Sequence, residues 1–399
     1  MSGDSGNGAA RSRPPVLVTG ATGFIGREVV RCLLALGRPI LAMARAGDGR
    51  SASDRVACVA AGAADDRLEV VEGDLTLPGC GLSMSDRQRL GESVESVIHC
   101  AGETDFFRAA MPPFRATHID GPLELLAVLG GGRLRSWAHV STAYVCGCRT
   151  GWVYEHEGDV GQEFHNPYER VKLEGEGAVR EAGARLGIDV RVFRPSVAVG
   201  AGAETRGAAV SNLFVAFIRL MGALANGADG RYVPLRIEGL PEAPFNIVPV
   251  EYVARGLVTL ADHPEGAGGV YHLVASDPPA QAAVLSAITD RLGLRGVELL
   301  DGRSGPLVKP SPLERKIGRL LLGYREYLGQ DVRFDDSNAR RLLDRCDYPA
   351  PRLSLDVLNG LIDRALQGED PVAHRDESGP GNRPSRPHKF SEAQSRMGT

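Results

Sequence analysis

Tyr168 and Lys172 stand four residues apart in NPYERVKLEGE, in a chain whose only lysines are at 172, 309, 316 and 389. Arginine supplies the rest of the 46 cationic side chains. A lysine kept where arginine has replaced nearly every other points to chemistry that arginine does not do. The ammonium is a compact charge whose pKa shifts readily, whereas the guanidinium stays protonated and planar. On a helix, residues i and i+4 share a face, so the phenol and the ammonium can meet. A phenol of pKa about 10 is a poor acid at neutral pH, and an adjacent cation makes its anion easier to form. The pair reads as a tuned proton donor. With nine tyrosines present, this spacing also arises by chance, so the assignment depends on the elements around it.

Those elements begin at the N-terminus. PPVLVTGATGFIG reads as a short apolar strand over 15–19, then Gly20, Gly23 and Gly26, then the helix FIGREVVRCLLALG with apolar Ile25, Val29, Val30, Leu33 and Leu34. The first glycine permits a tight turn, the second lets backbone approach a pyrophosphate, and the third lets helix and strand pack closely. The helix start then offers free N–H groups and a positive dipole end to phosphate. Thr22, Phe24 and Ile25 belong to the same cofactor turn. The next strand, PILAMARA (39–46), ends in Arg45 where an acid would hold a ribose 2′-hydroxyl, and Arg50 and Arg55 follow, so the expected cofactor is NADP(H). LEVVEGDL (68–75) reads as a third strand with Asp74 and Leu75 flanking the adenine. SVESVIHCAG (93–102) reads as a fourth, ending in the small residues Cys100, Ala101 and Gly102 beside the cofactor. WAHVSTAYVCG (137–147) reads as a buried strand with Ser141 and Thr142 at its carboxyl end, where an open α/β sheet places ligand contacts. Either hydroxyl could bond a substrate oxygen while Tyr168 protonates it, an arrangement like an oxyanion site. Tyr144 has no lysine four residues on.

TGATGFIG, HCAG, STAYVCG, NPYERVK and FRPSVAVG (193–200), in this order, resemble the extended short-chain dehydrogenase/reductase superfamily. HVSTAYVCG, NPYERVKLEGE, APFNIVPVEYVARGL (243–257) and VRFDDSNARRLL (332–343) are most similar to its thioester-reductase and fatty acyl-CoA reductase group, the male sterility type. The resemblance covers residues 14–366 and implies roles position by position. Gly20, Gly23 and Gly26 would cradle the pyrophosphate, Arg45 would hold the 2′-phosphate, and Asp74 with Leu75 would hold adenine. Thr142, which fits the group's S/T-x-x-V-x-G pattern better than Ser141, would orient the substrate carbonyl. Tyr168 would be the general acid, and Lys172 would bind the nicotinamide ribose and tune Tyr168. Pro195, Ser196 and Val197 would line the nicotinamide. The implied reaction is NADPH-dependent reduction of an acyl thioester, carried on CoA or an acyl carrier protein, to aldehyde or alcohol, in a setting of secondary metabolism. Cys100 departs from the usual small residue or Asn, and 148–166 matches no pattern, which leaves the substrate mouth unassigned.

The expected fold is α/β: a Rossmann-type doubly wound parallel sheet over 14–200, with core strands returning around 245–275, and a smaller mixed substrate lobe from 201–240 and 276–366. Residues 1–13 read as a disordered leader and 367–399 as a disordered tail, with almost nothing apolar to bury. A formal charge of −4 and a pI of about 6.2 argue against a nucleic-acid partner. The seven cysteines lack metal-ligand spacing, so no metal is expected, and their scatter fits a reducing cytoplasm. NLFVAFIRLMGALA (212–225) is too short and is interrupted by Arg219, so it reads as an amphipathic helix over the active site rather than a membrane span. Three other readings share the motifs: a ketoreductase tailoring a small-molecule or polyketide scaffold, a sugar-nucleotide epimerase or dehydratase, and a non-catalytic NADP-binding regulator. The intact Thr142–Tyr168–Lys172 set argues against the last, and Cys146 against the epimerase. Neither the acyl or carbonyl substrate nor the oligomeric state is legible.

Overall fold

A computed structural model describes residues 13–47, 49–59, 65–104, 114–200, 213–322 and 324–367, so most of the leader and tail and the glycine-rich 201–212 lie outside the described residues. The first half alternates strand and helix: β1 (Val16–Thr19), α1 (Phe24–Ala35), β2 (Ile40–Ala44), α2 (Ala52–Ala57), β3 (Leu68–Glu72), α3 (Met84–Ser93), β4 (Ser96–His99), α4 (Gly121–Leu129) and β5 (Ser136–Val140). Then come a short β6 (Gly151–Val153), the long α5 (Pro167–Leu186), β7 (Asp189–Pro195) and β8 (Val197–Val199). The second half holds α6 (Leu213–Gly227), β9 (Tyr232–Gly239), β10 (Ile247–Pro249), α7 (Val250–Ala261), β11 (Val270–Leu273), α8 (Gln281–Leu292) and β12 (Arg295–Asp301). It closes with α9 (Pro312–Leu320), α10 (Arg325–Leu328), β13 (Val332–Phe334), α11 (Ser337–Arg345) and α12 (Leu355–Gln367).

Seven strands make one parallel sheet in the order β11-β7-β5-β4-β1-β2-β3, which is the doubly wound Rossmann-type arrangement. The inner strands β1 and β2 are buried on both faces and read as continuous apolar runs, whereas the edge strand β3, LEVVE, is partly exposed. Along β1, Val16 and Val18 turn to the face covered by Val29, Val30 and Leu33 of α1 and Leu257 of α7, while Leu17 joins Leu125, Leu126 and Trp137 on the other. Three two-stranded parallel sheets, β8 with β10, β9 with β12, and β6 with β13, lie outside the main sheet. The expected helix over 212–225 forms as α6, and its apolar face, with Ile218 and Met221 fully buried, is spent on α8 and α12. Among the described residues no helix is long and apolar enough to cross a membrane.

Candidate active site

The carboxyl ends of β1, β4, β5 and β7 converge on one edge of the sheet. Gly20 takes φ +65°, and a Cβ there would lie 2.6 Å from the Ala101 amide nitrogen, so the turn after β1 presses on the residues after β4. A Cβ on Gly26 would fall 2.0 Å from the Gly20 carbonyl oxygen, which fixes glycine where α1 crosses the turn. Gly23 caps α1 with no side-chain hydrogen bond and no acid in the first turn, so the leading N–H groups, those of Phe24 and Ile25 among them, are left for an anion. Arg55 ties this turn to the end of β2: one Nη donates to the Arg45 carbonyl at 2.6 Å and the other lies 3.4 Å from the Thr22 hydroxyl. The Arg45 side chain is 55 % exposed and its Nη1 is 3.5 Å from Asp74 Oδ2, a loose pair of the kind worth little to stability. Burial pushes the Asp74 carboxyl up, but the Thr76 amide and hydroxyl and the Arg45 charge outweigh it and hold it below the usual range. Leu75 packs against α4, its carbonyl oxygen 2.7 Å from where a Cβ on Gly121 would stand.

At the reacting end, Asn166 caps α5 by accepting from the Glu169 amide, and Pro167 at the first helical position is pre-set for the helix. Tyr168 and Lys172 are both buried on this helix. The Lys172 ammonium donates to the Val140 carbonyl at 2.7 Å, which holds α5 against the end of β5. Burial pulls its pKa down to about 8, with Glu176 and Cys100 opposing. The Tyr168 phenol moves up, by burial first and the Glu169 charge second. The lowering expected from the lysine is not seen, and the phenol rests protonated. Thr142 Oγ1 accepts from the Tyr144 amide at 3.3 Å, which leaves its own hydrogen to donate, and Ser141 Oγ is buried without a partner among the described residues. Cys100 donates its amide to the Thr19 carbonyl, and burial pushes its thiol up to about 12. Gly102 backs onto the His118 ring. Ser196 and Val197 donate their amides to Leu273 and Asn246 as the chain passes Pro195, and Ser196 Oγ is buried and unpartnered among the described residues.

Six residues that sequence reasoning did not assign enter here: His118, Glu169, Tyr327, Glu176, Arg194 and Glu155. His118 sits on a π-turn, Ala116–Asp120, a distortion frequent at functional sites. Its ring stands edge-on to Tyr168 with centroids 5.7 Å apart, Nε2 lies 3.0 Å from the Glu103 carbonyl oxygen, and burial takes its pKa down to about 3, so it is neutral. Glu169, fully buried beside Tyr168, accepts from the His165 amide at 2.9 Å and from the Tyr327 hydroxyl of α10 at 2.5 Å. Asn166 also donates to the Tyr327 hydroxyl, and the Tyr144 and Tyr327 rings meet edge to face at 4.9 Å, so α10 latches both the start of α5 and the turn that carries Thr142. Glu176, one turn beyond Lys172, makes a buried ion pair with Arg194 of β7, whose Nη2 lies 2.6 Å from Oε2. In the unmatched 148–166 segment, the Glu155 carboxylate accepts backbone N–H groups of His272, Asn338 and Ala339 and so pins the start of α11. No motif announces these contacts; Arg55, by contrast, stood in the arginine run after β2.

A dinucleotide fits these residues: an uncapped helix start, a glycine turn with no room for a Cβ at Gly20 or Gly26, and Ser141, Ser196 and His118 atoms without a partner among the described residues. A family profile described as "Male sterility protein" matches residues 18–257, more than half of the chain. The chain belongs to the male sterility protein family. This makes it an NAD(P)-dependent oxidoreductase of the extended short-chain dehydrogenase/reductase type. A carboxylic acid reductase of Segniliparus rugosus is 24 % identical over 269 residues, which cover 61 % of this chain and 23 % of that protein. The chain thus spans under a quarter of that relative's length. Among solved structures, the terminal R domain of the myxalamid PKS-NRPS pathway superposes with TM-score 0.70 at 23 % identity, covering 88 % of this chain and 91 % of its own. A thiolation-reductase di-domain from an archaeal non-ribosomal peptide synthetase follows at 0.66 and 19 %, with 89 % and 90 % covered. A UDP-glucuronic acid 4-epimerase of Bacillus cereus, with NAD bound, reaches 0.63 at 20 %, with 88 % and 99 % covered. At these identities the structural likenesses establish the fold alone.

Proposed function

We propose that this male sterility family member uses NADPH to reduce an acyl thioester, borne by CoA or a carrier protein, to an aldehyde or alcohol. The observation that carries the reading is the buried Tyr168–Lys172 turn held against the end of β5, beside the Thr142 hydroxyl. When bound, NADPH supplies the hydride. Gly20, Gly23, Gly26 and the start of α1 would hold its pyrophosphate, Arg45 its 2′-phosphate, and Ser196 and Val197 its nicotinamide edge. Thr142 donates to the carbonyl oxygen of the substrate and fixes its face, and Tyr168 gives up its proton as charge develops there. Protonated Lys172 stabilises the phenolate that remains. With a thioester substrate, the hydroxyl proton of the resulting hemithioacetal returns to Tyr168 as the carbon–sulfur bond breaks, the thiolate leaves and takes a proton from water, and an aldehyde is left. With the Tyr168 proton and a second NADPH, the aldehyde would be reduced to the alcohol. The carboxylic acid reductase relative supports this choice over ketone reduction, which the same three side chains can also perform.

The test follows NADPH absorbance and free thiol together across a panel of acyl-CoA thioesters. Thiol release matching NADPH loss, abolished in Tyr168→Phe, is the expected result. NADPH binding without thiol release from any thioester would move the assignment to a ketone substrate.

A further inference from the structure

Many exposed arginines on this protein pair with a carboxylate, as Arg31 with Glu28, Arg185 with Glu181, Arg291 with Asp363, Arg303 with Asp301 and Arg345 with Glu265, while others, such as Arg170, Arg180 and Arg333, stand singly without an ion pair among the described residues. On α9 such cations gather on one face. Arg315, Lys316 and Arg319 are exposed on it, Lys309 is exposed just before it, and none of the four makes an ion pair among the described residues. The acids nearby are committed elsewhere. Glu314 is buried, 2.7 Å from Arg236 Nε, and Glu238 lies 2.8 Å from Arg325. Arg315 and Arg319 stand at i and i+4, and Lys316 and Arg319 at i and i+3, a stacking of like charges that destabilises an isolated helix. Exposed apolar side chains adjoin the cations in the sequence: Leu320 is 46 % exposed, Leu322 60 % and Val308 75 %. The chain as a whole carries a formal −4, so this patch opposes the overall charge. Cations interleaved with aliphatic side chains suit an acidic protein surface better than a bare phosphate, which would use the charges and leave the leucines wet.

The place of the patch gives it a purpose. The corner it forms leads directly into α10, whose Tyr327 closes on Glu169 beside Tyr168. We propose that the α9–α10 corner docks the acidic face of a carrier-protein domain that delivers the acyl group on its flexible arm; this rests on the thioester reading above.

The test uses the full chain and a recombinant acidic acyl carrier protein loaded with an acyl thioester and labelled for fluorescence anisotropy. Wild type binds it with an affinity that falls as salt rises. R315E/K316E/R319E weakens binding by about tenfold or more, and L320S/L322S weakens it at every salt concentration. Both variants keep wild-type NADPH affinity and wild-type turnover of acyl-CoA, which shows that they are folded. Failure of the wild type to bind the carrier, or equal binding by the charge-reversed variant, overturns the proposal. So does retention of wild type on phosphatidylglycerol vesicles with no carrier binding, which would assign the patch to a membrane surface. Salt-dependent carrier binding without turnover of any thioester would sink the thioester reading and sustain the docking site.

Discussion

Tyr168, Lys172 and Glu176 recur at four-residue intervals on α5, and Glu176 is held by Arg194, so a charge change at Glu176 should be read out at the proton donor. With i, i+4 side chains about 6 Å apart and an effective dielectric of about 20, a carboxylate is worth roughly 3 kcal/mol to the lysine ammonium, or about two pKa units. Arg194 opposes part of that field, which leaves about one unit. Lys172 starts at about 8. In Glu176→Gln it should titrate near neutrality, and the alkaline limb of the pH profile of kcat/KM should move acidward by about one unit. Breaking a buried pair also costs about 3–5 kcal/mol, so a lowered melting temperature is expected in the same variant. Arg194→Gln separates the two effects. It breaks the same pair at similar cost but leaves the carboxylate to act on Lys172, so its alkaline limb should stand at or above the wild-type position. The assay is NADPH oxidation over pH 6–10 with the acyl thioester turned over best. Limbs that move together in both variants, or do not move in Glu176→Gln, would refute the claim that protonated Lys172 supports the chemistry.

Arg45→Ala should cut the preference for NADPH over NADH by about 10–100-fold, the worth of one charge-assisted hydrogen bond to phosphate; unchanged preference in steady-state kinetics would remove Arg45 from the cofactor site. Tyr327→Phe takes a donor from the buried Glu169 and should cost about 1–3 kcal/mol by denaturant melt. It should lower kcat with little change in NADPH affinity, and a wild-type kcat would mean that the latch is only structural. Burial raises the Glu155 carboxyl to about 7. A folded-state pKa above the unfolded one favours the protonated form, so this group's contribution is present below about pH 4.5 and is lost as pH rises through about 7, by at most about 3 kcal/mol. The stability of wild type relative to Glu155→Gln should therefore fall between pH 5 and 8, and a flat difference in urea melts would refute it.

What the sequence disclosed was local or periodic. The apolar run of β1, the glycine turn and the amphipathic α1 declare a strand–turn–helix because their physics is confined to neighbouring residues, and the hydroxyls of Ser141 and Thr142 announce a strand end for the same reason. The Tyr327–Glu169 contact spans 158 positions, and neither residue carries a pattern that names the other. His118 owes its place to a π-turn, which adds one residue to a helical turn and leaves no periodic trace. The direction of the Tyr168 shift was hidden because spacing identifies a charged neighbour but not the depth of burial, and here burial dominates.

Tyr327 also sets an order of events. The first turn of α5 is made of residues 166–169, but the hydroxyl that completes the Glu169 hydrogen bonds is encoded 158 residues later. A growing chain emerges at about 5–20 residues per second, so the first half can fold while α5 stays unlatched for roughly ten to thirty seconds. The latch would then be timed by the last fifth of the protein to be synthesised, long after the sheet edge it closes on has been made.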